Sequence, residues 1–509
     1  MPLTRRDFLA TGAALSTWSL LDVPPGFAGD VLRAADLERV RARIAANKDR
    51  HIAAVQADLR QPSVSSWNMG IKEMADRMVE SFKKLGCKEA NLVPTKGNPG
   101  VWAYYDAGKP KTAVMYMMYD TQPWDEKRWS QPPLAANRVP LGAFREVIMA
   151  RGAVNSKGPN RFVLNTLETI IDVTGTLPVN VMFTCDGEEE QGSPNFHEVL
   201  DPYRDRLKTA NALLNLGPSQ AADGSISMSL GNKGIMYIEL EAHGGKWGRG
   251  PQKMPIHSSR KAVLDSPVWR LVDALRSMYD PAQNRILVQG FADDIRAPND
   301  EEEMLLRVVT TRFKDRLFGS ERENVVKFMN DWSPEEAARH LTFDTTMNLD
   351  GIWGGYTGAG VATILPEKAA VKMDSRLVPN QAVQKQADLV RAHLDRHGFS
   401  DVEMRRLGGG DEWSQTSVKA PAVQAVLSAY KKAGIEPMVW PRSAGSSPQW
   451  EYTRKLGLQA AGGGLGHGSR AHADDEYIVI EGNDKVAGIV QAEQSIAEIL
   501  YAFAAWEVS

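Results

Sequence analysis

Asp186-Gly187-Glu188-Glu189-Glu190-Gln191-Gly192-Ser193 follows directly on a largely apolar run, residues 179–183. That junction decides the fold reading. A run without regular polar alternation is what a strand buried on both faces requires. A strand that stops in a glycine-bounded acidic turn delivers side chains to the rim of a sheet. The same unit recurs upstream, where residues 111–119 run apolar into Asp120-Thr121-Gln122-Pro123-Trp124. It recurs downstream as Ala212-Leu213-Leu214 ending at Asn215-Leu216-Gly217-Pro218. Between them, residues 151–159 lead into a helix with Val163, Leu164, Leu167, Ile170 and Ile171 on one face. Pro159 suits its first turn, where a missing N–H costs little. Strands alternating with helices predict an α/β domain with a mostly parallel sheet and helices on both faces. Sites in such sheets lie beyond the carboxyl ends of the strands. Asp120, Asn155, Glu189, Glu190 and Asn215 are therefore expected to be neighbours.

Working outward, residues 35–58 and 71–85 show helical spacing, the second stretch stopping at Gly86. After Gly234 the pattern changes. A strand at 235–242, a helix opened by Ser266-Pro267, a strand at 369–377, a helix at 381–397 and a strand at 402–406 follow in order. Two strand–helix–strand passes predict an inserted α+β, ferredoxin-like lid and dimerisation domain over residues 234–417. The catalytic domain then comprises residues 30–233 and 418–509.

The ends and the composition bound the partners. Thr4-Arg5-Arg6-Asp7-Phe8-Leu9, a short apolar stretch and small residues near Ala28 make residues 1–29 a twin-arginine signal segment. The expectation is a periplasmic or secreted protein, with no stable membrane insertion because the apolar stretch is short and interrupted. A formal net charge of −3 on 509 residues gives no basic excess for a nucleic-acid partner. Cys87 and Cys185 are the two cysteines, too few for a disulfide scaffold.

Three consecutive glutamates are most often a solvated loop. Placed after a buried strand and between Gly187 and Gly192, they suit a general base beside a second carboxylate. Seven segments in order carry a family resemblance: residues 119–123, 151–159, 186–193, His257-Ser258, Arg376-Leu377-Val378-Pro379, residues 442–448 and residues 472–476. Together the chain resembles the M20 family of dinuclear-zinc peptidases and amide hydrolases, in its carnosinase-like dipeptidase branch. The resemblance implies that Glu189 is the general base and Asp120 the carboxylate that orients a ligand. Glu190 and His472 fall on ligands of one zinc. Three of the five ligand positions are replaced: Met118 stands at the histidine, Asn155 at the bridging carboxylate and Asn215 at the remaining aspartate. A slipped alignment would instead let His467 supply a ligand.

Zinc is thus what the family implies and what this donor set opposes. Asn carbonyls are weak neutral donors, a thioether suits softer ions, and a bridge needs an anion. Exchanging Asp for Asn also removes carboxylate repulsion that a dication would otherwise quench, as in a site rebuilt to work without metal. Arg376 and Arg442, with Ser446 nearby, are expected to bind a substrate carboxylate. Asn155 is expected to contact the substrate by taking over part of the polarisation zinc would give. His257 is expected to polarise the scissile carbonyl, in this family often from the partner subunit of a homodimer formed through the lid. The expected function is hydrolysis of an amide or peptide bond in a small, dipeptide-like carboxylated substrate. The alternatives are a non-catalytic binding protein for small peptides or amino-acid conjugates, and a lyase or isomerase using the same carboxylates.

Overall fold

In the computed structural model, which describes residues 31–318 and 325–506, a six-stranded sheet forms the centre of the larger domain. Its strands lie in the order Glu89–Val93, Gly100–Tyr105, Asn180–Asp186, Thr112–Met118, Ala212–Leu216 and Gln459–Gly463. Gly100–Tyr105 alone runs against the other five. The strands are buried on both faces, and alternate residues sort between them. Ala113, Met115, Met117, Val181, Phe183 and Leu214 meet helices Ile71–Leu85, Lys157–Thr174, Pro421–Lys432 and Ile489–Ala505. Trp102, Val114, Met182 and Leu213 meet the shorter helix Phe196–Leu200 and Tyr452 on the other side. The mostly parallel sheet covered on both faces is therefore present.

The helical stretch expected at 35–58 is two helices, Val31–Ala46 and Lys48–Arg60, interrupted at Asn47, whose φ −93° and ψ 6° leave the helical region. Ile71–Leu85 ends where expected, at Gly86 in the left-handed conformation. The twin-arginine segment lies outside the described residues.

A second sheet was not legible in the sequence. Asn137–Leu141, Phe144–Met149, Tyr477–Glu481 and Gly468–Ser469 form four antiparallel strands. Tyr477 pairs with Met149. That register sets the loop leaving Met149 beside the loop entering Tyr477, although more than 300 residues separate them in the chain (Arg151 to Glu476, |i−j| 325).

The lid is a four-stranded antiparallel sheet ordered Asn348–Gly354, Lys368–Leu377, Gly234–His243, Glu403–Arg406. Helices Pro267–Met278 and Val383–Arg396 cover one face through Leu271, Ala274, Val390 and Leu394. The chain order strand–helix–strand–strand–helix–strand and this sheet order are those of a ferredoxin-like unit. Between its first helix and second strand, helices Asp300–Arg312 and Pro334–Phe343 form an arm. The arm packs back on Met438 and Trp440 of the larger domain through Leu306, Val309 and Ala338. Lid and larger domain are joined by two chain crossings that pair with each other. Ile235 and Asp411 exchange backbone hydrogen bonds of 2.7 and 3.0 Å, and Asn232 and Ser414 exchange bonds of 3.3 and 3.0 Å. A Cβ at Gly234 would lie 2.6 Å from the Asp411 carbonyl oxygen, so the crossing demands glycine there.

Candidate active site

The rims of Thr112–Met118 and Asn180–Asp186 are in register, Met118 opposite Asp186, so the two loops that follow emerge side by side. Asp120, fully buried, clamps the acidic turn. Its Oδ1 accepts from the Glu189 backbone N–H and its Oδ2 from that of Glu190, both at 3.1 Å, while Ser65 Oγ donates to Oδ2 at 2.7 Å. Asp186 holds the turn from within, accepting from the Glu188 N–H (2.9 Å) and Ser193 Oγ (2.6 Å). Gly187 is required by close packing, since a Cβ there would lie 2.3 Å from the Tyr119 hydroxyl.

This clamp gives three adjacent glutamates three fates. Glu188 turns into the wall, accepting from the Asn98 backbone N–H (3.0 Å) and Asn195 Nδ2 (2.7 Å). Glu190, its side chain 4% exposed, accepts from Gln122 Nε2 and Asn155 Nδ2, both at 2.7 Å, and lies 3.1 Å from His472 Nε2. Asn155 Nδ2 is also 3.0 Å from His472 Nε2, closing a triangle of Glu190, Asn155 and His472. The Glu189 carboxylate, between these walls, shows no hydrogen bond to the described residues.

Electrostatics follow from this crowding. Burial first, then the neighbouring Glu190, Asp120 and Asp186 carboxylates, push Glu189 up to about 8. Burial likewise pushes Asp120 up to about 7 and Asp186 to about 6, and raises Glu190.

Glu476 sets the opposite wall. It is fully buried and accepts from Arg151 Nη1 (2.9 Å) and from the backbone N–H groups of Gly152 (3.0 Å), Val154 and Asn155 (both 2.8 Å). The loop that presents His472 is held with that residue at φ 63°, a left-handed conformation costly for a side chain with a Cβ.

The donor set does not fit a zinc pair. Among the described residues, no three His, Cys, Asp or Glu side chains converge as a metal site needs. Where a bridging carboxylate would stand, Asn155 points an N–H donor at Glu190. Asn215 keeps a buried Oδ1 without a partner, and Met118 ends its strand as a buried residue. His467, the other candidate ligand, has Nδ1 2.8 Å from the Gln220 carbonyl oxygen and Nε2 3.0 Å from the Tyr477 hydroxyl. It is part of the wall.

The remaining expected residues divide. Arg376 Nη1 donates to Ser446 Oγ at 3.4 Å, and its Nε lies 3.2 Å from Asp374. Arg442 stands apart: 3% exposed, it is ion-paired with Glu302, donates to Gln415 Oε1 (2.7 Å) and reaches the Thr342 carbonyl (3.3 Å). These contacts brace the loop that carries Ser446, while Arg442 Nε is buried with no hydrogen-bond partner among the described residues. His257 lies exposed on the lid, with Nδ1 2.9 Å from Ser259 Oγ and Nε2 3.1 Å from Thr363 Oγ1, and makes no contact with Glu189 in its own chain. Both cysteines are free, and burial pushes the Cys87 thiol up to about 12.

Sequence reasoning assigned no role to Gln122, Ser65 or Glu476. Gln122 and Glu476 lie inside segments that signalled the family, which was the available clue. Asp411 was missed altogether. It belongs to the glycine-rich loop at the lid crossing, accepts from Trp450 Nε1 (2.9 Å) and adds to the charge felt by Glu189.

The profile of Peptidase family M20/M25/M40 matches residues 115–493. The human Beta-Ala-His dipeptidase is 26% identical over 357 residues, 67% of this chain but 62% of that protein, so less than two thirds of its length is spanned. The Cys-Gly metallodipeptidase of Schizosaccharomyces pombe is 24% identical over 380 residues, covering 71% of this chain and 76% of the relative. Among solved structures, an M20 family metallo-carboxypeptidase from Sulfolobus solfataricus aligns with a TM-score of 0.79 at 32% identity, over 89% of this chain and 99% of that one. Human carnosine dipeptidase 1 shares the fold, with a TM-score of 0.70 at 20% identity over 92% of this chain and 99% of its own.

Proposed function

The chain belongs to Peptidase family M20/M25/M40, and from that premise we propose that it hydrolyses an amide or peptide bond of a small, carboxylated, dipeptide-like substrate. The observation that carries this reading is Glu189, a carboxylate without a hydrogen bond among the described residues, set between the Asp120 clamp and the Glu190–Asn155–His472 triangle. A base with a pKa near the working pH is suited to take and return a proton. Glu189 takes a proton from water as its oxygen attacks the carbonyl carbon. The C–N bond then breaks, and Glu189 passes that proton to the leaving nitrogen. Arg376 and Ser446 hold the substrate carboxylate, the guanidinium supplying charge-assisted hydrogen bonds.

We read the reaction as independent of zinc, because three of the five positions that would hold two ions carry two amides and a thioether, leaving only Glu190 and His472. Forgoing a Lewis acid sacrifices several kcal/mol of transition-state stabilisation, so turnover is expected to be slow or the substrate bond an activated one. The exposed Leu349, Ile352 and Trp353 on the lid's edge strand support a homodimer through the lid. A second copy would then bring its own His257 toward the carbonyl. Export by the twin-arginine route, proposed from residues 1–29, places the reaction outside the cytoplasm.

The test is turnover of a dipeptide panel by purified protein, with and without a chelator. Activity should survive chelation and fall by about 10²–10⁴-fold in Glu189→Gln, the usual contribution of a general base. Activity abolished by chelation would overturn the metal-free reading. Tight dipeptide binding without turnover would replace the hydrolase by a binding protein.

A further inference from the structure

A cavity of about 360 Å³ lies at the root of the lid, behind Arg376 and apart from the acidic turn. Its walls come from the arm and from the segment that enters the lid's edge strand. Trp332, Leu341, Met347 and Ile286 supply apolar surface, and Thr346 supplies a polar edge. Volume and lining are those of a small-molecule site, mostly apolar with a few placed polar groups.

The placed group is Lys233, the residue before the first lid strand. It is 2% exposed, lines the cavity, and donates through Nζ to the Asp344 carbonyl oxygen at 2.5 Å. An ammonium has three N–H donors, and among the described residues this one has no carboxylate within ion-pair distance. The Asp344 carboxylate, also on the wall, is engaged by His340 Nδ1 at 2.7 Å. Burial holds Lys233 down to about 8, with Arg442 and Arg376 adding to the effect and the Asp344 carboxylate opposing it in part. A buried ammonium with spare donors and no direct ion pair is costly, and an anion in the cavity would complete it.

We propose that this cavity is a second ligand site, which takes a small carboxylic acid with an apolar, aromatic-sized body. The carboxylate binds the two remaining Lys233 donors, and the body lies against Trp332, Leu341 and Met347. The occupant would be felt at the cleft. Thr346 donates its N–H to the Arg376 carbonyl (3.1 Å) and accepts from the Arg376 N–H (3.0 Å), so one wall of the cavity holds the backbone of the substrate-facing arginine.

The measurement is calorimetric titration of the full chain with 3-phenylpropionate and with its neutral counterpart, 3-phenylpropan-1-ol. It needs no turnover, so it stands or falls separately from the hydrolase reading. The acid should bind at least about tenfold tighter than the alcohol, a difference worth about 1.4 kcal/mol. Lys233→Met should erase that preference while leaving alcohol binding. Leu341→Glu, at a half-exposed position that tolerates polarity, should weaken the acid selectively even if the lysine variant folds poorly. Arg376→Ala should leave alcohol binding unchanged and should not abolish acid binding, since removing a neighbouring positive charge favours the charged form of Lys233. Equal binding of acid and alcohol, acid binding unaffected by Lys233→Met and Leu341→Glu, or its loss in Arg376→Ala would each overturn the proposal.

Discussion

Glu188, Glu189 and Glu190 are the same letter in the sequence, and what distinguishes them lies 35 to 90 residues away. Asn98 claims the first, Asn155 and Gln122 claim the third, and the second is left without a hydrogen bond among the described residues. The family segments identified Glu189, but its isolation is a property of the assembled walls. The replaced ligands, by contrast, were legible one residue at a time. Met118→His, Asn155→Asp and Asn215→Asp together are expected to convert a chain that purifies with little metal into one that retains a pair of zinc ions, read by elemental analysis. Unchanged zinc content in that triple variant would mean that the geometry, and not only the donor chemistry, has departed from a metal site.

Asp186 offers a pH test free of substrate. Burial raises its folded pKa from the usual 3.8 to about 6. A carboxyl raised on folding contributes stability that is full below its unfolded value and is lost as pH climbs through the folded one. Relative to Asp186→Asn, the wild type should lose ~3 kcal/mol between about pH 3.5 and pH 7.5. Denaturant midpoints of both proteins across that range check the sign. A wild type that gains stability relative to Asp186→Asn as pH rises would refute the assignment of burial as the cause.

Thr112–Met118, Asn180–Asp186 and Ala212–Leu216 of the central sheet were readable because their periods survive in the residues. So were Gly234–His243 and Lys368–Leu377 of the lid, which extend the expected runs by a residue or so. Glu89–Val93, Gly100–Tyr105, Gln459–Gly463 and Asn348–Gly354 were not read. Neither was the small antiparallel sheet. Its strands Phe144–Met149 and Tyr477–Glu481 come from opposite ends of the chain, and nothing local announces their pairing. Yet that sheet juxtaposes Asn155 and His472, and Glu476 at its edge ties the two loops. Glu476→Ala leaves Arg151 buried at 2% exposure without its carboxylate. Breaking such a pair typically costs about 3–5 kcal/mol. The expected result is a lowered unfolding midpoint together with weakened dipeptide binding. A variant as stable as wild type would show that the backbone donors find other partners.

For the whole molecule, Arg442 separates two roles that one sequence motif could not. Its segment resembles a substrate loop, but the residue lies against Glu302 of the arm, a long-range contact invisible to pattern reading. Arg442→Ala is expected to destabilise the protein, but by less than the ~3–5 kcal/mol of a fully broken buried pair, because Glu302 keeps both bonds to Arg296. Arg376→Ala is expected to raise KM with little change in the unfolding midpoint. Steady-state kinetics and thermal melts of the pair check the contrast, and a purely kinetic effect of Arg442→Ala would return that residue to the substrate.

The paired crossings at Ile235–Asp411 and Asn232–Ser414 have a consequence for timing. A lid hung on one strand would search many orientations before Arg376 met Glu189 again. Two strands laced together leave little beyond a twist, so any movement of the lid would keep Arg376 at nearly the same address. The search is settled when the chain folds, not once per turnover. In the language of effective molarity, the lid is a reactant already held at high local concentration.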